Sequence, residues 1–149
     1  MTTDYKSELT SGDRARVLAA LYQLSGDDRK LTLPPEVYEE VPALIESEDE
    51  EIAWRAIIAF GLVRPTPSLS IGLVEAAKRW LPIERFVGLA ALDGIARLIG
   101  ADCLSQMDRS RAVSEVSQIE GVDPHWLSQF SQMASGQISY EDFVGSVGD

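Results

Sequence analysis

The sequence is poor in the residues from which catalytic and metal sites are usually built. It contains one cysteine, Cys103, and one histidine, His125. A single cysteine excludes an intramolecular disulfide and a zinc site made of cysteines. A single histidine excludes mechanisms that need two, and no nucleophile-elbow, dinucleotide-binding or phosphate-loop motif is present. Cys103 and His125 could act as nucleophile and base only if the fold joined them. The simpler interpretation is a small buried hydrophobe and a polar first-turn residue, in a protein that is no enzyme and holds no cofactor.

The segment 131–142 has the glycine of an EF-hand calcium loop but not its ligands. Gly136 stands where such a loop turns sharply, whereas Met133 falls where an oxygen donor is needed and Asp142 replaces the bidentate glutamate. We interpret the segment as a capped turn in which Ser139 and Asp142 open a last short helix. No metal site is expected.

Long apolar runs and basic residues are also scarce. The longest apolar stretch, residues 56–63, is too short for a bilayer, and residues 1–10 lack the apolar block of a signal peptide. Thirteen basic residues face 24 acidic ones, which gives a net charge of −11. A field of that sign repels nucleic acid and anionic membranes and attracts basic proteins. We therefore expect a cytoplasmic protein that binds neither nucleic acid nor membrane and whose partner is a basic protein.

Apolar residues recur at spacings of three and four, which predicts an all-α fold. Residues 1–12 show little periodicity and are expected to be a flexible lead-in, followed by one domain over residues 13–149 with seven or eight helices. Pro42 should kink the second helix, or else divide it into two short pieces that meet at Val41. The chain contains no asparagine, so helix caps fall to serine, threonine and aspartate.

Two nearly all-apolar helices match each other at an offset of 34 residues, which places Ile52 over Phe86 and Ala56 over Ala90. In each copy a more polar helix leads, a break follows, and an alanine-rich helix closes the pair. This order is typical of stacked helical repeats, in which the inner helix is buried between its neighbours.

The chain resembles HEAT-like repeats over about residues 37–100. The resemblance is carried by residues 42–45, by the acidic turn 48–51, and by residues 52–61, where an arginine follows the first apolar residue by three positions and a glycine stands at the end. The second copy departs from the pattern, because Leu89 replaces Arg55 and no acidic run precedes Phe86. The resemblance implies a short right-handed stack of antiparallel helix pairs.

HEAT-like proteins mostly act as scaffolds, adaptors and inhibitors that bind protein surfaces, which the resemblance implies for this chain too. One branch handles bilin pigments as lyases or chaperones, so binding of a small ligand is the alternative. That alternative needs an apolar groove with a few converging polar groups, for which Arg55, Asp93 and Arg97 are candidates. A branch that acts on DNA is set aside, because its groove is basic and this chain is acidic.

Acidic residues cluster before the first of the two apolar helices, with eight acids and no base in residues 36–51. One interpretation is a negative rim that attracts a basic partner, and the other is a solvated turn that favours a helix N-terminus. Tryptophan is enriched at binding hot spots; Trp54 is expected in the core, whereas part of the Trp80 ring should stay exposed. The residues expected to contact a partner are Glu46, Glu48, Asp49, Glu50, Glu51 and Trp80. The sequence thus favours a non-enzymatic interaction module, in its sharpest form a bacterial immunity-type inhibitor of a basic toxin.

Overall fold

The computed structural model describes residues 4–26, 33–63, 69–100 and 104–147, and every regular element within these ranges is helical. The α-helices are α1 (Tyr5–Leu9), α2 (Arg14–Gly26), α3 (Pro35–Glu39), α4 (Val41–Ile45), α5 (Glu50–Ala56), α6 (Ser70–Trp80), α7 (Arg85–Gly100), α8 (Gln106–Ser117), α9 (Pro124–Ala134) and α10 (Tyr140–Val147). Residues Ile57–Val63 continue α5 as a π-helix, here called the π segment. Cys103 lies outside the described residues. None of the helices in the described ranges is long and apolar enough to cross a membrane.

The all-α class is confirmed for the described part of the chain, but the expected number of helices was too low. Ten α-helices are present there, against the seven or eight expected. One extra helix arises because Pro42, which lacks an N–H, cannot extend α3 and instead stands in the first turn of α4. The predicted break at Val41 is thereby confirmed. The stacking of antiparallel pairs into a HEAT-like solenoid stays a prediction.

The other extra helix is α1, which lies in the segment expected to be a flexible lead-in. The Asp4 carboxylate accepts a hydrogen bond of 3.1 Å from the Ser7 N–H and so caps the helix. Leu9 is buried in the core, and Glu8 forms an ion pair of 2.8 Å with Arg16 of α2. The cap, the buried leucine and the ion pair hold these five residues in a helix. A helix of five residues is too short to show a periodic pattern of apolar residues.

The core is centred on α7, which packs along α6, the π segment and α9. Two glycines allow these helices to pack closely, because a Cβ built at Gly61 or at Gly94 would lie 3.1 Å from a methyl carbon of Leu73. Leu73 itself is completely buried. The Leu73 side chain of α6 therefore packs against Gly61 of the π segment and Gly94 of α7 and joins the three elements.

The last two helices, α9 and α10, pack against each other through a cluster of aromatic side chains. Phe143 of α10 contacts Trp126 and Phe130 of α9, with ring centroids 5.3 Å apart in both pairs. The predicted capping box is confirmed, since the Ser139 hydroxyl accepts from the Asp142 N–H at 3.1 Å and the Asp142 carboxylate accepts from the Ser139 N–H at 3.0 Å. Cap and aromatic packing together fix where the last helix begins.

A polar network joins α10 to α7 beside this cluster. The Tyr140 hydroxyl donates to the Asp93 carboxylate at 2.6 Å, and Arg97 pairs with the same carboxylate at 3.4 Å. Burial, and then the hydrogen bond to Asp93, raise the pKa of Tyr140 from 10.0 to about 12. The network satisfies two charged groups that would otherwise interrupt the apolar surface of α7.

Gly88 sets the distance between α7 and the turn that precedes it. A Cβ at this position would lie 2.7 Å from the backbone nitrogen of Leu81, and backbone cannot move away as a side chain can. We expect Gly88→Ala to lower the free energy of unfolding by about 1–3 kcal/mol through overpacking. Gly145→Ala in α10 is the matched control, since its Cβ would meet nothing within 4 Å, and should be neutral or stabilise by up to about 1 kcal/mol. Urea unfolding measures both, and equal stabilities would contradict the close approach.

The raised pKa of Tyr140 predicts a loss of stability at alkaline pH. Its contribution is fully present below pH 10.0 and is lost as the pH rises towards about 12, because the unfolded chain releases this proton more readily than the folded chain. Tyr140→Phe should be less stable than the native chain at neutral pH, and the difference should shrink over that window. Denaturant unfolding at a series of pH values tests this, and a difference that stayed constant up to pH 12 would argue against it.

Candidate functional site

One groove stands out on the described surface, with a volume of about 810 Å³. It lies between the first turn of α2, the beginning of α5 and the beginning of α7. The residues that line it are Arg14, Asp49, Glu50, Glu51, Trp54, Arg55, Glu84, Phe86 and Val87. Three of the five acids predicted to contact a partner line this groove, namely Asp49, Glu50 and Glu51. The other lining residues were not predicted to contact a partner.

The acidic turn forms one wall of the groove and caps α5. The Asp49 carboxylate accepts hydrogen bonds from the N–H groups of Glu51 at 3.0 Å and Ile52 at 3.3 Å. An aspartate at this position also places its charge at the positive end of the helix dipole. The interpretation of the cluster as a helix-favouring turn therefore holds for Asp49, whereas Glu50 is exposed and makes no ion pair within the described part of the chain.

Arg14 reaches across from α2 and pairs with two of these acids. Its Nε donates to Asp49 at 2.8 Å and its Nη2 donates to Glu51 at 2.7 Å. The hydrogen bond from this guanidinium is the main reason why the pKa of the Asp49 carboxyl lies below its ordinary value. Arg14 is 35 and 37 residues away from these acids along the chain, so no local pattern could have revealed it.

The other two predicted acids lie outside the groove. Glu46 and Glu48 are both exposed, and neither side chain lines the groove. The backbone carbonyl of Glu46 accepts a hydrogen bond of 2.9 Å from Arg79 of α6. The cluster that looks continuous in the sequence is thus divided between the groove and a neighbouring surface.

The structure overturns the expectation for Trp80 and bears out that for Trp54 only in part. Trp80 is only 5% exposed, so the expectation that part of its ring remains at the surface was wrong. It belongs to the buried stripe of α6 with Leu69, Leu73 and Ala76, a helical spacing that could have shown its burial. Trp54, expected in the core, is only partly buried and lines the groove.

Exposed aromatic surface lies in the groove and beside it. Phe86 is 74% exposed, although the repeat alignment places it over Ile52 of a helix with apolar residues on all sides. Tyr22 of α2 is 62% exposed, and the Arg55 guanidinium lies over its ring at 4.3 Å from the centroid. Large apolar rings left in solvent beside charged groups are typical of surfaces that a partner covers.

The polar groups that a small-ligand site would need do not converge. Asp93 and Arg97 pair with each other and with Tyr140, and neither lines the groove that contains Arg55. Among the described residues, no group of three or more histidine, cysteine, aspartate or glutamate side chains is arranged to hold a metal ion. The groove can offer charge, hydrogen bonds and aromatic faces, which are the means of recognising another molecule.

Substitutions at Asp49 separate its two roles. Asp49→Ala removes both the cap and the ion pair, and loss of a cap alone costs about 0.5–2 kcal/mol of stability. Asp49→Asn keeps a capping oxygen and loses the negative charge, and with it the interaction with the helix dipole and the ion pair with Arg14, whose side chain is half exposed, so that the ion pair contributes little. We expect thermal unfolding to rank the native chain and the Asn variant close together with the Ala variant clearly below. An Asn variant as unstable as the Ala variant would show that the charge of Asp49, and not the cap, holds the turn.

No protein-family model matches the chain, and no curated protein or solved structure matches it either. The HEAT-like resemblance consequently stays a prediction from the sequence.

Proposed function

We propose that this protein is a non-enzymatic interaction module that binds a basic segment of a partner protein in the groove between α2, α5 and α7. The observation that carries the proposal is the meeting of four carboxylates with exposed aromatic surface at one site. Aromatic rings beside carboxylates suit lysine and arginine side chains, which offer an apolar stem and a cationic head.

Charge supports the same kind of partner over a longer range. The groove contains four acids and two arginines, within a chain whose net charge is −11. Such a field draws a basic partner towards the surface and raises the rate of encounter. The exposed acids Glu46 and Glu48, beside the groove, belong to this field even though they do not line the site.

The sharpest form of the proposal is a bacterial immunity-type inhibitor that neutralises a basic toxin. A small, acidic, all-helical chain suits that role when its groove is lined by carboxylates and aromatic rings that can bind basic side chains. An adaptor within a larger assembly uses the same surface, and the partner that the groove retains distinguishes the two.

The proposal predicts that acids inside the groove matter more than acids beside it. Glu50→Gln with Glu84→Gln and Glu46→Gln with Glu48→Gln each change the net charge from −11 to −9. We expect the first pair to weaken capture of a basic protein from the native cells by at least about tenfold, because contacts within a desolvated site control dissociation. The second pair should mainly slow association.

Affinity purification with quantitative binding of the captured protein provides the measurement. Equal losses for the two pairs would show that only overall charge matters and would contradict a binding groove. If the native chain retains no protein, the interaction proposal is wrong and the small-ligand alternative is favoured.

A further inference from the structure

The two arginines of the groove are in different electrostatic situations. Arg14 is held by Asp49 and Glu51 through contacts of 2.8 and 2.7 Å. Arg55 makes no ion pair and no hydrogen bond within the described part of the chain, and its Nε is buried without a partner. One positive charge of the groove is therefore internally neutralised and the other is not.

Tyr22 contacts Arg55 without accepting a hydrogen bond from it. The guanidinium carbon lies over the Tyr22 ring, 4.3 Å from its centre, and the Arg55 N–H groups find no hydrogen-bond acceptor within the described part of the chain. The N–H donors of a guanidinium lie in its plane, where they match the two oxygens of a carboxylate. Arg55 is thus partly buried, positioned by an aromatic ring, and without the anion that its shape suits.

The carboxylates that remain unpaired in the groove do not reach Arg55. Glu50 and Glu84 line the same groove, yet neither forms an ion pair with it in the described structure. The groove consequently presents separated charges, negative at Glu50 and Glu84 and positive at Arg55. A uniformly basic segment would satisfy the two acids and leave Arg55 facing like charge, which is unfavourable in a desolvated contact.

We infer that the basic segment bound in this groove carries one aspartate or glutamate whose carboxylate pairs with Arg55. The inference rests on the proposed function and adds the feature by which the partner is distinguished from other basic proteins. A single carboxylate suits the site better than a phosphoryl group, because the groove's unpaired acids and the net charge of −11 repel a dianion more strongly.

Selection from a random peptide library displayed on phage tests the inference without knowledge of the partner. The native chain should enrich peptides that are basic and that carry an acid at one fixed position. Arg55→Gln should still enrich basic peptides but should lower the preference for that acid by about tenfold, the value expected for losing a charge-assisted pair. Arg55→Lys should keep part of the preference, since it retains the charge without the planar fork.

Tyr22 supplies a second comparison that does not alter the charge. Tyr22→Ala removes the ring that positions Arg55 and should weaken the preference for the acid, whereas Tyr22→Phe keeps the ring and should preserve it. Circular dichroism of each variant confirms that the chains compared are folded. If Tyr22→Ala selects the acid as strongly as the native chain, the ring does not position Arg55 for binding.

The outcomes separate the inference from the function on which it rests. Native and Arg55→Gln chains that select the same acid, or native selection of basic peptides without any acid, overturn the inference and leave the interaction proposal standing. A native chain that enriches no basic peptides overturns the interaction proposal, and the inference with it.

Discussion

Leu73 lies against two glycines, Gly61 of the π segment and Gly94 of α7, and this contact determines how closely the central helices approach. A methyl group at either glycine would stand 3.1 Å from Leu73, so neither position has room for a larger residue without rearrangement. Two of the three walls of the groove depend on the same packing. The α5 wall leads directly into the π segment, and another wall is the first turn of α7.

Much of the fold could be predicted from local patterns, since those patterns act over a few residues. Apolar spacing gave the all-α class, Pro42 gave the break before α4, and the pair Ser139 and Asp142 gave the last cap. The helix α1 escaped notice because five residues contain too little periodicity to register. The arrangement of helices in space depends on contacts such as Leu73 with Gly94, which a single sequence does not display.

The candidate site was predicted only in part, for a related reason. A run of acids marks Asp49 and its neighbours, but the arginine that neutralises them comes from another helix, 35 residues away from Asp49. Trp80 was misjudged despite a visible signal, since it continues the buried stripe of α6. The exposure of Phe86 had no signal at all, because a helix that is apolar on most sides gives no indication of which side stays uncovered.

The net charge of the chain describes long-range attraction of a partner, whereas recognition depends on where the individual charges lie in the groove. Fields from exposed acids extend over about one Debye length, roughly 8 Å at physiological salt, and draw in any basic protein. Inside the groove, Asp49 and Glu51 share the single positive charge of Arg14, so the net negative charge at contact distance is smaller than the acidic run suggests. The groove also contains charges of both signs that form no ion pair with each other, positive at Arg55 and negative at Glu50 and Glu84. Under the proposed function, discrimination among basic partners comes from Arg55, the arginine of the groove that forms no ion pair within the described part of the chain.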